Sequence, residues 1–236
     1  YDVDDIPSQD ETGIDLISEQ LYKYGFVQKT YLDLYGEKAG LVPDRQWKSK
    51  TKALPWYPGE TLNVGIGQGY FLATPMQLTL ATASLANDGN TYTPHLLLGD
   101  KNNKTNEVSV YNYENNKFYT AMKDPHHLHI VKNAMWRVVN EKRVGTASHL
   151  KKVKNIEYAG KTGTAQVYNL DKGKTGTKSL QDHALFISYA PFESPEIVVT
   201  VVVENGGGGS TTAAPIARDI IEYYMDKKPT SVSMHE

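Results

Sequence analysis

Apolar residues recur at helical spacing in four stretches, then give way in the last third of the chain to almost unbroken apolar runs. In IDLISEQLYKYG the apolar positions are Ile14, Ile17, Leu21 and Tyr24, and Gly25 follows as a terminator. Thr74-Pro75 supplies a cap and a first-turn proline for a helix over PMQLTLATASLAND. That helix ends at Gly89, and its Ala81, Ala83 and Ala86 would let a neighbour pack closely. Asp124-Pro125 opens a third helix, with Leu128, Val131, Met135, Val138 and Val139 as its buried stripe. A short helix is expected near Thr146 to Lys151. The last helix, APIARDIIEYYMD, is expected to lay Ile216, Ile220, Ile221 and Tyr224 on a sheet.

That sheet is predicted from TAQVY, HALFISYAP and IVVTVVVEN. The third segment is apolar over nearly its whole length, so both of its faces should be covered. Short connections suit antiparallel neighbours. The GGGGS block at 206–210 reads as a tight turn between a strand and a helix. Residues 26–62 read as irregular, and WYPGETLNVGIGQGYFLATP as a glycine-rich loop. DKNNKTNEVSVYNYENNKF reads as surface strand and turn. The polar residues 1–12 form a mobile start, 13–228 the folded part and 229–236 a tail.

Composition adds mainly exclusions. With 236 residues, 39% of them hydrophobic, the chain can build a real core and fits one domain, with or without a small lobe. A net charge of -2 gives no electrostatic footprint for nucleic acid or an acidic membrane surface. Without cysteine, disulfides and thiolate-bound metals are excluded. No apolar run reaches the roughly 18 residues of a membrane span, and no signal peptide is visible. A chain beginning at Tyr1 reads as a mature product or a fragment.

The candidate chemistry lies in AGKTGTAQVYN, residues 159–169. Here a lysine stands at the start of a strand beside the apolar sheet. Side chains alternate along a strand, so Thr162 and Thr164 share one face and Gly163 points to the other. A glycine leaves room for a second backbone, and such a strand could take an extended peptide by edge pairing. Lys161 and the threonine hydroxyls could then hold a terminal carboxylate, and a backbone N–H could stabilise an oxyanion.

KTGTAQV resembles the third active-site motif of the penicillin-binding and serine β-lactamase superfamily. TLNVGIGQGYFLATPMQLTLATASLANDGN is similar to the stretch that precedes that motif in class B peptidoglycan transpeptidases. WYPGE and VVVENGG look most like the elongation-type enzymes of that class. The resemblance covers residues from about 13 to 225. It implies an α+β penicillin-binding/serine β-lactamase-like fold, in which helices and a helical subdomain accompany an antiparallel sheet, incomplete in this chain. It also implies a D,D-transpeptidase that cross-links stem peptides of peptidoglycan by serine acyl transfer and is trapped by β-lactams. No cofactor is implied. In that scheme Lys161 assists proton traffic and attracts the substrate carboxylate. Thr162, Gly163 and Thr164 bind substrate, and the Thr164 N–H forms half of the oxyanion hole. The implied setting is the periplasmic face of the bacterial inner membrane, with a glycan polymerase and a rod-complex scaffold protein as partners.

The family also uses a nucleophilic serine on an S-x-x-K turn, where the lysine acts as its base. Two matches occur, Ser49 with Lys52 and Ser148 with Lys151. Pro55 should cut short any helix at Ser49, and Ser148 stands directly before the third motif, against the family order. Neither is expected to serve, so the chain is expected to lack its nucleophile. Ser8-Gln9-Asp10 fits the letters of the second motif, S-x-N or S-x-D, but also reads as part of a polar start. His126, His127 and His129 read as solvated rather than metal-binding. GIGQG lacks the strand and acidic partner of a dinucleotide site. A non-catalytic β-lactam-sensing or scaffold module, or a β-lactamase or D,D-carboxypeptidase, stays open beside the transpeptidase.

Overall fold

The computed structural model describes residues 13–111, 124–166 and 181–227. Its contacts divide the chain into two compact units, Tyr1–Lys123 and Asp124–Glu236.

The first unit is mainly helical. Helix α1, Gly13–Lys23, fully buries Ile14 and half-buries Ile17 and Leu21, as the spacing predicts. Gly25 follows at φ 82°, a conformation open to glycine. Two further helices stand where the sequence reads as irregular: α2, Arg45–Lys52, and α3, Pro58–Gly65. Neither has an apolar stripe. Each is started by a cap, since the Asp44 carboxylate accepts from Trp47 N at 2.6 Å and Glu60 accepts from Tyr57 N at 2.8 Å. An ion pair joins them: Lys48 Nζ reaches Glu60 Oε2 at 2.5 Å and lies 4.4 Å from the centre of the Tyr57 ring. Helix α4, Pro75–Ala86, begins at the expected Thr74 cap, with Gln77 closing a capping box. The hairpin of β1, Gly99–Lys101, and β2, Val108–Val110, is the expected surface strand and turn.

The second unit opens with α5, Pro125–Asn140, capped by Asp124 as the sequence predicts. Its buried residues are Leu128, Met135 and Val139, whereas Val131 stays exposed. Residues 146–149 form turns, not the expected helix. Three antiparallel strands follow in the order β3-β4-β5: Ala159–Ala165, His183–Ala190 and Ile197–Val203. Strand β3 starts before the lysine rather than at it. Its Gly160 is required by packing, since a Cβ there would fall 2.5 Å from the Phe186 ring. The GGGGS block joins β5 to helix α6, Ala214–Lys227, as expected, but its Gly209 and Ser210 open a π-helical turn, Gly209–Ala213, rather than closing a tight turn.

The register puts Thr162, Phe186 and Val201 on one face, and Lys161, Ile187 and Thr200 on the other. The first face holds the core, where Phe186, Ala184 and Val201 pack with Ala213, Ala214, Ala217 and Ile221. The expected stripe on α6 holds at Ile221 and is otherwise corrected: Ile216, Ile220 and Tyr224 stay exposed, because alanines bring the helix closer to the sheet. The expectation for β5 is corrected as well. Val199 and Val201 are buried, but Val202 is exposed and Val198 only half-buried, so one face of the strand is covered fully.

Candidate functional site

Strand β3 is the outer strand of the sheet, and the KTGT residues lie in its middle. Lys161 and Thr164 are exposed, and Thr162 and Gly163 half-buried. The strand is rigidly framed. On one side its seven residues pair with β4, from Ala159↔Tyr189 to Ala165↔His183. At its start, Asn140 Nδ2 at the end of α5 donates to the Tyr158 carbonyl at 2.9 Å. Across its centre runs the π-helical turn: a Cβ on Gly209 would fall 2.3 Å from the Gly163 carbonyl oxygen and 2.5 Å from that of Leu185.

Thr162 is the hub. Its carbonyl accepts from Lys161 Nζ at 2.6 Å, and its hydroxyl lies 3.0 Å from the hydroxyl of Thr146. The lysine leaves the strand on the opposite face from the threonine side chains, yet its ammonium ends beside the Thr162 main chain. Thr162, on an edge strand, thus bonds one cation through its main chain and one hydroxyl through its side chain. Such a group can receive a carboxylate by charge-assisted hydrogen bonds. Gly163 is opposite Leu185, and a Cβ added there would meet Leu185 Cβ at 3.2 Å. The glycine thus fits the packing of the sheet as well as leaving room alongside the strand.

Thr146 enters the sequence reading only as the start of an expected short helix, not as a site residue. It lies far from the motif in the chain, in a turn without regular pattern, so only the fold reveals it. The segment before β3 is tied to α6, with Arg218 Nε donating to the Lys151 carbonyl at 3.1 Å. Beside it, the Tyr158 hydroxyl is buried and has no hydrogen-bond partner among the described residues, and burial pushes its pKa up to about 12 against a weaker opposing pull from Arg218.

The other candidates fall elsewhere. Ser8 and Asp10 lie outside the described residues. Ser49 sits in a helix with Lys52, and that helix ends at Lys52, before Pro55 is reached. It belongs to the first unit, and the KTGT strand to the second. Ser148 donates to the Gly145 carbonyl at 2.7 Å within a turn, and Lys151 is in no helix with it. The three histidines of α5 are exposed, and His129 Nε2 contacts Asn133 Nδ2 at 2.7 Å.

Against known proteins, residues 7–222 match the family described as "Penicillin binding protein transpeptidase domain". The peptidoglycan D,D-transpeptidase MrdA of Haemophilus influenzae is 40% identical over 231 residues, which cover 94% of this chain and 34% of that protein. The Escherichia coli MrdA is 36% identical over 196 residues, 80% of this chain and 30% of that protein. Among solved structures, Pseudomonas aeruginosa PBP2 in complex with WCK 5153 superposes with a TM-score of 0.75 at 39% identity, covering 91% of this chain and 43% of that one. PBP2 of Helicobacter pylori, in a complex with MreC, gives a TM-score of 0.71 at 32% identity, over 91% of this chain and 36% of that one. The chain spans about a third of the length of the curated relatives it matches.

Proposed function

The chain belongs to the penicillin-binding protein transpeptidase family, and from that premise we propose that it forms the substrate-anchoring, C-terminal part of an elongation-type serine D,D-transpeptidase. In the reaction a serine oxygen attacks the carbonyl of the penultimate D-alanine of a stem peptide. The bond to the terminal D-alanine breaks, and that residue leaves with a proton on its nitrogen. An amine of a neighbouring strand then attacks the acyl-enzyme, forms the cross-link and frees the serine.

Within this scheme the residues described above hold the donor. Lys161 attracts the terminal carboxylate and takes part in proton traffic. Thr162 and Thr164 offer hydroxyls to that carboxylate, Gly163 leaves the donor backbone room alongside the strand, and the Thr164 N–H supplies half of the oxyanion hole. The nucleophile comes from an S-x-x-K segment other than Ser49 or Ser148. The observation that carries the reading is the placement of an exposed Lys161 beside Thr162 on a framed outer strand.

The surroundings are proposed by resemblance to the family. β-Lactams would mimic the donor and trap the serine. The Helicobacter pylori complex with MreC supports a rod-complex scaffold protein as a partner, and a glycan polymerase is the second. The site of action is the periplasmic face of the inner membrane. Among the described residues no helix is long and apolar enough to cross a membrane.

The test is donor turnover by the protein that carries this chain together with an S-x-x-K serine. Release of D-alanine with transfer of the acyl group to an added amine supports the transpeptidase. Release of D-alanine to water alone would indicate a carboxypeptidase, and binding without release a sensor.

A further inference from the structure

We infer that Thr146 is a positioning residue that sets the hydroxyl of Thr162 to donate to the substrate carboxylate; the inference rests on the anchoring role proposed above. The two hydroxyl oxygens are 3.0 Å apart, and among the described residues each is the other's hydrogen-bond partner.

A hydroxyl pair carries two protons, but only one lies between the oxygens. If Thr162 donates to Thr146, its lone pairs face outward and repel an anion. If Thr146 donates instead, the Thr162 proton is released to point at the carboxylate, and the bond behind it strengthens that donation. An arriving carboxylate selects the second arrangement. Thr146 does this without touching the ligand.

The fold holds the pair in place. Gly145 N donates to the Glu141 carbonyl at 2.8 Å and Ala147 N to the Val138 carbonyl at 3.0 Å, so the turn is tied to the end of α5 on both sides of Thr146. A Cβ on Gly145 would fall 2.4 Å from the carbonyl oxygens of Arg137 and Val138, so the close approach needs glycine. Ala147 is fully buried in the core under the sheet. Thr146 itself is exposed. Its replacement by valine therefore leaves the packing in place and removes one hydroxyl.

The experiment measures the acylation rate constant of the protein that carries this chain and an S-x-x-K serine, with benzylpenicillin and with its methyl ester as probes. Thr146→Val should slow reaction with the free carboxylate about fivefold, the scale of one net hydrogen bond, and leave the ester unaffected. Thr146→Ser should restore the rate, and Thr146→Val should add nothing in a Thr162→Val background. An equal loss with the ester, or additive losses in the double variant, would overturn the inference. So would a normal Thr146→Val beside an impaired Thr162→Val, and that outcome would leave the transpeptidase reading intact. Failure of the unaltered protein to react with either probe would overturn the reading and the inference together.

Discussion

Gly209 lies over Gly163 so closely that a Cβ on it would fall 2.3 Å from the Gly163 carbonyl oxygen. The π-helical turn and the KTGT strand are thus packed backbone against backbone. Gly209→Ala must push the two apart, and overpacking of this kind costs roughly 1–3 kcal/mol. The melting temperature should fall accordingly. Gly59→Ala, where a Cβ meets nothing within 4 Å, should leave it unchanged or raise it.

Lys161→Arg separates anchoring from proton transfer. Arginine keeps the cation but does not give up a proton near neutral pH. In a protein with a competent serine, the variant should retain part of its affinity for penicillin while acylation slows strongly. Stopped-flow acylation resolves the two steps, and a near-normal acylation rate would remove Lys161 from proton transfer.

The legible and illegible parts of the chain divide along physical lines. Helices α4 and α5 were readable because a cap residue and a proline mark each start. The site lysine and threonines were readable because their motif is local. By contrast, α2 is RQWKSKTK, a polar sequence whose one buried residue is a lysine, and only the distant Glu60 explains it. Ala159 and Gly160 carry no strand signal, since pairing with Tyr189 and Ser188 and, for Gly160, the Phe186 ring set their place. Ile216 and Ile220 of α6 outrank its alanines in apolar size, yet Ala214 and Ala217 face the core with Ile221 because closeness decides the contact. Thr146 could not be foreseen, since a hydroxyl in a turn has no pattern until the fold brings Thr162 to it.

The Lys48–Glu60 pair should make the first unit acid-sensitive. Burial pushes the Glu60 carboxyl up, but hydrogen bonds from Lys48 and the Tyr57 N–H, with the Lys48 charge, outweigh it and hold it below its ordinary 4.5. A depressed carboxylate stabilises the fold above its unfolded pKa, and that contribution is lost as pH falls through the folded value. Stability should therefore drop below about pH 4.5, and Glu60→Gln should remove that part of the slope. Lys48→Met leaves Glu60 unpaired and should cost roughly 3 kcal/mol, the low end for a buried pair because Glu60 keeps some contact with water. Urea titrations across pH would show both effects.

Tyr158 makes an opposite, alkaline prediction. Its buried hydroxyl resists ionisation, with a pKa of about 12 against 10.0 in the unfolded chain. The unfolded state loses its proton first, so stability should decline as pH rises from 10.0 towards about 12. Tyr158→Phe should flatten that decline. At neutral pH it should be neutral or stabilising, because the lost hydroxyl has no partner among the described residues. A clear destabilisation at neutral pH would show that the hydroxyl does have one.

The central claim is that this chain supplies the anchoring site and not the nucleophile, and intact-mass spectrometry after penicillin treatment tests it most directly. The 236-residue chain alone should show no adduct if, as proposed, neither Ser49 nor Ser148 is the nucleophile. The chain folded together with an S-x-x-K segment of the family, as one polypeptide or as a second piece, should gain one penicillin, carried by the serine of that segment. A stoichiometric adduct on the chain alone would contradict the account.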